Sequence, residues 1–419
     1  MDKLVIQGGR PLNGSVKVSG AKNAVLPIMT ATIITPGSYK IKRVPDLRDT
    51  RTMISLLNII GAEVNFEDGT LHIDTTRCDN PEAPYDLVKT MRASFYVLGP
   101  LLSRFGYAKV SMPGGCAWGP RPVNFHVDAM EQIGADIILE DGYIIAKGEN
   151  LSGGDVLFEV SSVGATGNAV MAAVKASGRT TISNAAMEPE ITCLCEFLNA
   201  MGASISGIGT NKLQIESVSE MKPVDTEIIP DRIETATFLI AGAMAGEKVE
   251  VVGAEPNHLQ VVLKRLQEAG SELEVKKDSI IIERKGRPRP VSVETAVYPG
   301  FPTDVQAQWM ALMSLADGNS TITDSIYHDR FTHIAELSRL GADIRLKHNV
   351  SEVKGKERLL GAPVMSTDIR ASASLILAGL GAEGQTEISR IYHIDRGYEK
   401  IEEKFRSLGA NIMRENPTG

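Results

Sequence analysis

Three sets of side chains in this 419-residue chain could do chemistry. The first is a single thiol, Cys116, in the stretch PGGCAWGPRPVNFH, preceded by Pro113, Gly114 and Gly115 and followed by Arg121. A thiol near a guanidinium gains thiolate character or can hand on its proton, whereas a buried cysteine is usually an inert small hydrophobe. The Gly/Pro loop with Trp118 favours the reactive reading for Cys116. Cys193 and Cys195 form only a C-x-C inside an apolar helical stretch, so they read as core and no metal site is expected. The second set is cationic: Lys22, Arg92, Arg121, Arg330, Arg370 and Arg396. Each alone would be an ordinary solvated charge, but all fall at matched positions of a repeat. Several guanidinium groups brought together would suit a small ligand carrying both a phosphate and a carboxylate, because arginine binds either one bidentately. The third set is acidic: Asp304 in FPTDVQAQ, Asp231 and Glu234 in PDRIET, and Asp368 in STDIR. An aspartate that opens a helix commonly caps it. The alternative, above all for Asp304, is to accept a hydroxyl proton from an attacking oxygen within hydrogen-bond reach.

The elements that must position these groups come from an internal repeat. An apolar helical segment ends in glycine and runs into a strand six times, with the glycines at Gly61, Gly134, Gly202, Gly270, Gly341 and Gly409, 68 to 73 residues apart. Glycine just past the last helical turn can take a left-handed backbone and close the helix. A further helix in each unit opens at a polar cluster: GAKNA, TMRAS, VGATGNA, PDRIETAT, FPTDVQAQ and STDIRASAS. Helix starts carry unpaired N–H groups and partial positive charge, so six such ends facing one cleft would make an anion site. The last copy, ANIMRENPTG, lacks a second strand, which residues 1–7 could supply. That predicts a first three-unit domain over 20–229 carrying the Cys116 loop, and a second made of 1–19 and 230–419.

Composition narrows the class. With 43% hydrophobic and 23% charged residues the chain is ordinary globular protein, and a formal charge of -8 argues against nucleic-acid binding. Apolar runs long enough to span a membrane are lacking, and MDKLVIQGG reads as a strand and not a leader, so a cytoplasmic protein is expected. Four cysteines fit reduced thiols. Neither a G-x-x-x-x-G-K-[ST] loop nor a strand-linked G-x-G-x-x-G occurs, so any nucleotide must be held some other way.

Lys22–Asn23 in SGAKNA, the PGGC loop with RPVNFH, PDRIET, FPTD and HIDRGY together resemble the enolpyruvyl transferases over essentially the whole chain, and specifically the branch acting on UDP-N-acetylglucosamine. The resemblance implies an α/β (α+β) fold, a two-domain inside-out α/β barrel of six repeated units with threefold pseudo-symmetry in each domain. It also implies transfer of the enolpyruvyl group of phosphoenolpyruvate to the sugar 3-hydroxyl by addition and elimination, releasing phosphate, in the first committed step of peptidoglycan precursor synthesis. The two small molecules would be the only partners, with no cofactor, no metal and no membrane. Carried over residue by residue, Cys116 becomes a general acid toward C3 that can also form a covalent adduct, and Asp304 becomes the candidate base. Lys22, Arg121 and Arg396 would surround the phosphate, while Arg330 and Arg370 would serve the carboxylate or the charged intermediate. Nucleotide-sugar contacts fall on Asn23, Arg92, Arg121, Pro122, Val123, Asn124, Phe125, Ser161, Val163, Gly164, Asp304 and Ile326, and Asp368 is a further substrate-binding candidate. Ala117, Trp118 and Pro120 depart from the usual loop, which is expected to change lid kinetics. The sister branch that uses shikimate 3-phosphate is disfavoured by the loop cysteine, and a ring clamp around DNA by the negative charge.

Overall fold

Six helices of the chain are apolar on nearly every face, and this dictates where they lie. They are α1 (Lys22–Ala31), α2 (Leu98–Phe105), α3 (Val163–Ala173), α4 (Arg232–Ala245), α5 (Gln306–Met313) and α6 (Ile369–Gly381). Residues 233–244, 306–313 and 370–380 are buried without a break. A helix with no polar face cannot sit on a surface, so it becomes the centre of its unit with sheets outside it. The computed structural model describes residues 2–112 and 123–416. Chain contacts divide it into two units, Gly20–Ile229 and Met1–Ser19 with Pro230–Gly419.

Each unit holds three four-stranded sheets of one design. In Gly20–Ile229 one sheet runs Thr226–Glu227, Ser38–Lys42, Thr70–Asp74, Glu63–Glu67, with the first pair parallel and the other two antiparallel. The sheets around Tyr107–Ser111 and Thr180–Ser183 repeat that order and sense. In the other unit the same pattern is built on Gly246–Val252, Asn319–Asp324 and Gln385–Ser389. Alternation sets the faces, and the strand Lys212–Glu216 reads exposed, buried, exposed, buried, half-buried. The strand Lys3–Gln7 lies antiparallel between Gln385–Ser389 and Asn411–Glu415, with Leu4 and Ile6 fully buried. It takes the place that the shortened last repeat leaves.

Around the three central helices each unit has its own core. Leu98, Leu101, Val170 and Leu194 belong to one, and Phe238, Trp309, Leu375 and Phe405 to the other. All six repeat glycines have positive φ, between 89° and 110°. An L side chain resists that conformation, which is why the helix-to-strand corner recurs with glycine. Two of the six polar openings differ from a plain helix start. Arg92–Val97 and Thr303–Val305 are 3-10 turns leading into α2 and α5. At the second, Thr303 and Asp304 turn their side chains to other partners, and the end tightens through Val305 N–H to Pro302 O at 3.0 Å instead of being capped. No helix among the described residues is long and apolar enough to cross a membrane.

Gly341 isolates the backbone effect, because a Cβ there meets nothing within 4 Å while φ is +94°. Gly341→Ala should therefore lower stability by about 1 kcal/mol through conformation alone. The check is the chemical-denaturation midpoint, and an unchanged midpoint would show that the corner does not need glycine.

Candidate functional site

In the unit built on Pro230–Gly419, a carboxylate is clamped by two guanidinium groups. Asp304 Oδ1 receives Arg330 Nη1 at 2.7 Å and Oδ2 receives Arg370 Nη2 at 2.6 Å. Arg370 enters from the second position of α6 and is 7% exposed. Burial would raise the pKa of Asp304, but Arg370 and then Arg330 outweigh it and hold the carboxyl well below the usual carboxylate range. Asp304 is thus ionised and does not cap its turn, which excludes the capping role considered for it. Asp231 and Asp368 do cap: Asp231 Oδ1 accepts from Ile233 N and Glu234 N at 2.8 and 2.9 Å, and Asp368 Oδ1 from Arg370 N and Ala371 N at 2.8 and 3.1 Å. Asp368 therefore acts by fixing the start of the helix that carries Arg370.

Neighbouring groups extend the clamp on both sides. Thr303 Oγ1 accepts from Arg330 at 3.1 Å and donates to Asp324 Oδ2 at 2.7 Å. Asp324, fully buried, also accepts from Thr295 Oγ1 and from the backbone N–H groups of Ile326 and Tyr327. One carboxylate thus shapes the loop presenting Ile326, whose own side chain is exposed. On the far side Arg370 Nη1 reaches the Tyr398 hydroxyl at 3.4 Å. Arg396 ends the 3-10 turn Ile391–Arg396, which Arg414 braces through a bidentate pair with Asp395 at 2.6 and 3.0 Å.

In the unit Gly20–Ile229, Lys22 opens α1 and its Nζ pairs with Asp49 Oδ2 at 3.0 Å. Asp49 lies in the first turn of the helix Arg48–Ile60, where the helix dipole favours an anion, and is 3% exposed. Asn23 follows Lys22 in α1, half-buried, and Arg92 begins the 3-10 turn before α2. Val123, Asn124 and Phe125 lead into the helix Asn124–Ile133, and Ser161, Val163 and Gly164 lie at the start of α3, which Ser162 caps by accepting from Ala165 N. His126 joins these two segments. Asn168 Oδ1 accepts from Gly99 N and its Nδ2 donates to Phe95 O, so the amide's other N–H points at His126 Nδ1, 2.9 Å away. Nδ1 is then the acceptor and the ring proton sits on Nε2. A Cβ on Gly164 would come within 3.1 to 3.2 Å of that ring, so glycine keeps the contact open. Burial, reinforced by Arg92, pushes the His126 pKa down to about 3 and keeps the ring neutral.

Cys116, Arg121 and Pro122 lie outside the described residues. The remaining expected positions group by unit: Lys22, Asn23, Arg92, Val123, Asn124, Phe125, Ser161, Val163 and Gly164 in one, and Asp304, Ile326, Arg330, Asp368, Arg370 and Arg396 in the other. Asp304, Arg330 and Arg370 are in direct contact. Reading the sequence missed Asp49, His126, Asp324 and Tyr398. His126 and Tyr398 close the quoted RPVNFH and HIDRGY stretches, which was a usable signal, whereas Asp49 and Asp324 carried none.

A sixfold α/β repeat with buried central helices, bearing a carboxylate clamped by arginines, defines a class of group-transfer enzymes, the carboxyvinyl or enolpyruvyl transferases. The EPSP synthase (3-phosphoshikimate 1-carboxyvinyltransferase) family matches residues 6–405, and the chain belongs to that family. It is 54% identical over 418 residues to a UDP-N-acetylglucosamine 1-carboxyvinyltransferase of Chlorobaculum parvum, covering 99% of both chains. A protein of that name from Chloroherpeton thalassium is 55% identical over 419 residues, covering 99% of this chain and 97% of the relative. Among solved structures, the enolpyruvyl transferase NikO of Streptomyces tendae superposes with a TM-score of 0.90 at 26% identity, covering 99% of this chain and 98% of that one. EPSP synthase of Acinetobacter baumannii shares the fold, with a TM-score of 0.76 at 17% identity over 99% of this chain and 100% of that one.

A buried imidazole next to the clamp gives a pH signature. His333 is 1% exposed, and burial drives its pKa down to about 4, with Asp368 opposing, Arg330 assisting and Asp324 opposing. The unfolded chain, with a histidine pKa of about 6.5, takes up this proton first. The stability tied to a neutral His333 is therefore complete above pH 6.5 and lost as the pH falls toward 4. Between pH 7 and 5 the parent should lose about 2 kcal/mol more stability than His333→Gln. Parallel stability profiles from denaturation at the two pH values would contradict this.

Proposed function

We propose that the chain transfers the enolpyruvyl group of phosphoenolpyruvate to the 3-hydroxyl of UDP-N-acetylglucosamine, committing the sugar to peptidoglycan synthesis and so to cell-wall growth and division. The observation that carries this reading is the ionised Asp304 between Arg330 and Arg370, taken with the relatives' shared name. A proton goes to C3 of phosphoenolpyruvate, with Cys116 as the donor, while the 3-hydroxyl oxygen attacks C2 and gives up its proton to Asp304. The tetrahedral ketal then returns a C3 proton to the Cys116 thiolate as its C2–O–phosphate bond breaks, leaving the enol ether and inorganic phosphate.

Asp304 clamped by two cations is a weak base. A substrate carboxylate that shares Arg330 and Arg370 would draw off part of their field and raise the basicity of Asp304 when the anion is bound. Lys22, Arg121 and Arg396 are assigned to the phosphate and stabilise the charge that develops on it. Arg92, Pro122, Val123, Asn124, Phe125, Ser161, Val163, Gly164 and Ile326 are assigned to the nucleotide sugar, with Asn23 beside the sugar ring. Asp368 supports Arg370 through the helix start. The division of the chain at Ser19–Gly20 and Ile229–Pro230 is taken as the domain division, the Cys116 loop belonging to the first domain. We place the protein in the cytoplasm, in keeping with its sparse cysteines.

Phosphate release from phosphoenolpyruvate should require UDP-N-acetylglucosamine, and Asp304→Asn should lower it by at least about 100-fold while circular dichroism stays parental. Release supported by shikimate 3-phosphate and not by the nucleotide sugar would overturn the substrate assignment.

A further inference from the structure

We infer that Tyr398 is a positioning residue for this reaction, acting through Arg370 to set the place and the charge state of Asp304. The inference rests on the proposed role of Asp304. Tyr398 is 2% exposed, and its hydroxyl meets Thr237 Oγ1 at 2.8 Å, Gln308 Nε2 at 3.3 Å and Arg370 Nη1 at 3.4 Å. These partners come from α4, α5 and α6, so one oxygen gathers all three central helices of the unit.

The direction of each bond follows from counting protons. Thr237 gives its only hydroxyl proton to Ile233 O at 2.8 Å. The Tyr398 proton is then the one between the two hydroxyls, and Thr237 Oγ1 accepts it. Both lone pairs of Tyr398 are left facing donors, the guanidinium of Arg370 and the amide of Gln308; that amide gives one N–H to Asp304 O at 3.0 Å and shares the other between the Tyr398 oxygen and Thr237 Oγ1, each at 3.3 Å. With Nη1 turned to the phenol, Nη2 of the same planar fork lies 2.6 Å from Asp304 Oδ2. Gln308 holds the Asp304 backbone while Arg370 holds its carboxylate, and Tyr398 holds both.

Tyr398 also ties Arg396 to the same point. Its N–H and that of Gly397 both donate to Ile394 O, at 2.9 and 3.0 Å, closing the turn that ends in Arg396. A Cβ on Gly397 would lie 2.7 Å from Ile369 Cγ2, so this turn packs directly on the first residue of α6.

Tyr398→Phe removes one oxygen and keeps the ring. Without its acceptor the Arg370 fork is free to swing off Asp304, so the Asp304 pKa should rise. Two readouts test this. Titration of the Asp304 carboxyl carbon by 13C NMR in the substrate-free protein should show a higher midpoint in Tyr398→Phe than in the parent. Steady-state assays of the full chain should show kcat reduced about tenfold, with its acid limb moved to higher pH. Thr237→Val, which removes the acceptor of the phenol proton, should move both readouts the same way and by less. Parental titration and a parental pH profile in Tyr398→Phe, even with a lowered melting temperature, would overturn the inference and leave the phenol as packing. The NMR readout needs no turnover, so it separates failure of this inference from failure of the proposed reaction.

Discussion

A guanidinium buried in an apolar helix cluster has to find an anion, and much of the Pro230–Gly419 unit is arranged around that requirement. Arg370 sits at the second position of α6, a helix buried along almost its whole length. Leaving such a charge unpaired costs several kcal/mol, far more than an exposed ion pair contributes. Asp304 meets the need at 2.6 Å, and Arg330 adds a second cation. The clamp shifts the two partners in opposite senses. Burial opposes ionisation of both, but Asp304 holds the Arg370 pKa above its ordinary value, and the guanidiniums hold the Asp304 pKa below its own. The pair is therefore charged at neutral pH.

The repeat explains why polar groups gather where they do. Central helices with no exposed face have room for charge only at their ends, where the backbone N–H groups also ask for acceptors. Asp231, Ser162 and Asp368 answer as caps. At Thr303–Val305, one of the openings without a side-chain cap, Thr303 and Asp304 turn to other partners, and the Asp304 carboxylate pairs with Arg330 and Arg370. The other unit varies the theme with Lys22 at the start of α1 held by Asp49.

The repeat and the helix openings were readable because each depends on local rules. A glycine with positive φ closes each helix, an unbroken apolar run marks each central one, and strand alternation follows. Asp304, Arg330 and Arg370 could be named from their motifs, but their mutual contact could not, since it joins three segments distant in sequence. Asp49 and Asp324 were invisible for a related reason. Their sequence surroundings, LRDTR and ITDSI, are ordinary, and burial alone makes them structural anchors. Asp231 and Asp368 cap their helices, as the preference of aspartate for that position suggests.

Isotope placement tests the proposed chemistry most directly. If C3 of phosphoenolpyruvate is protonated and later deprotonated, turnover in deuterium oxide must pass through a methyl group that holds solvent deuterium. The enol ether formed from phosphoenolpyruvate and UDP-N-acetylglucosamine should then carry deuterium in its vinyl methylene by mass spectrometry. A product whose methylene remains wholly protiated would contradict addition and elimination, and with it the roles assigned to Cys116 and Asp304.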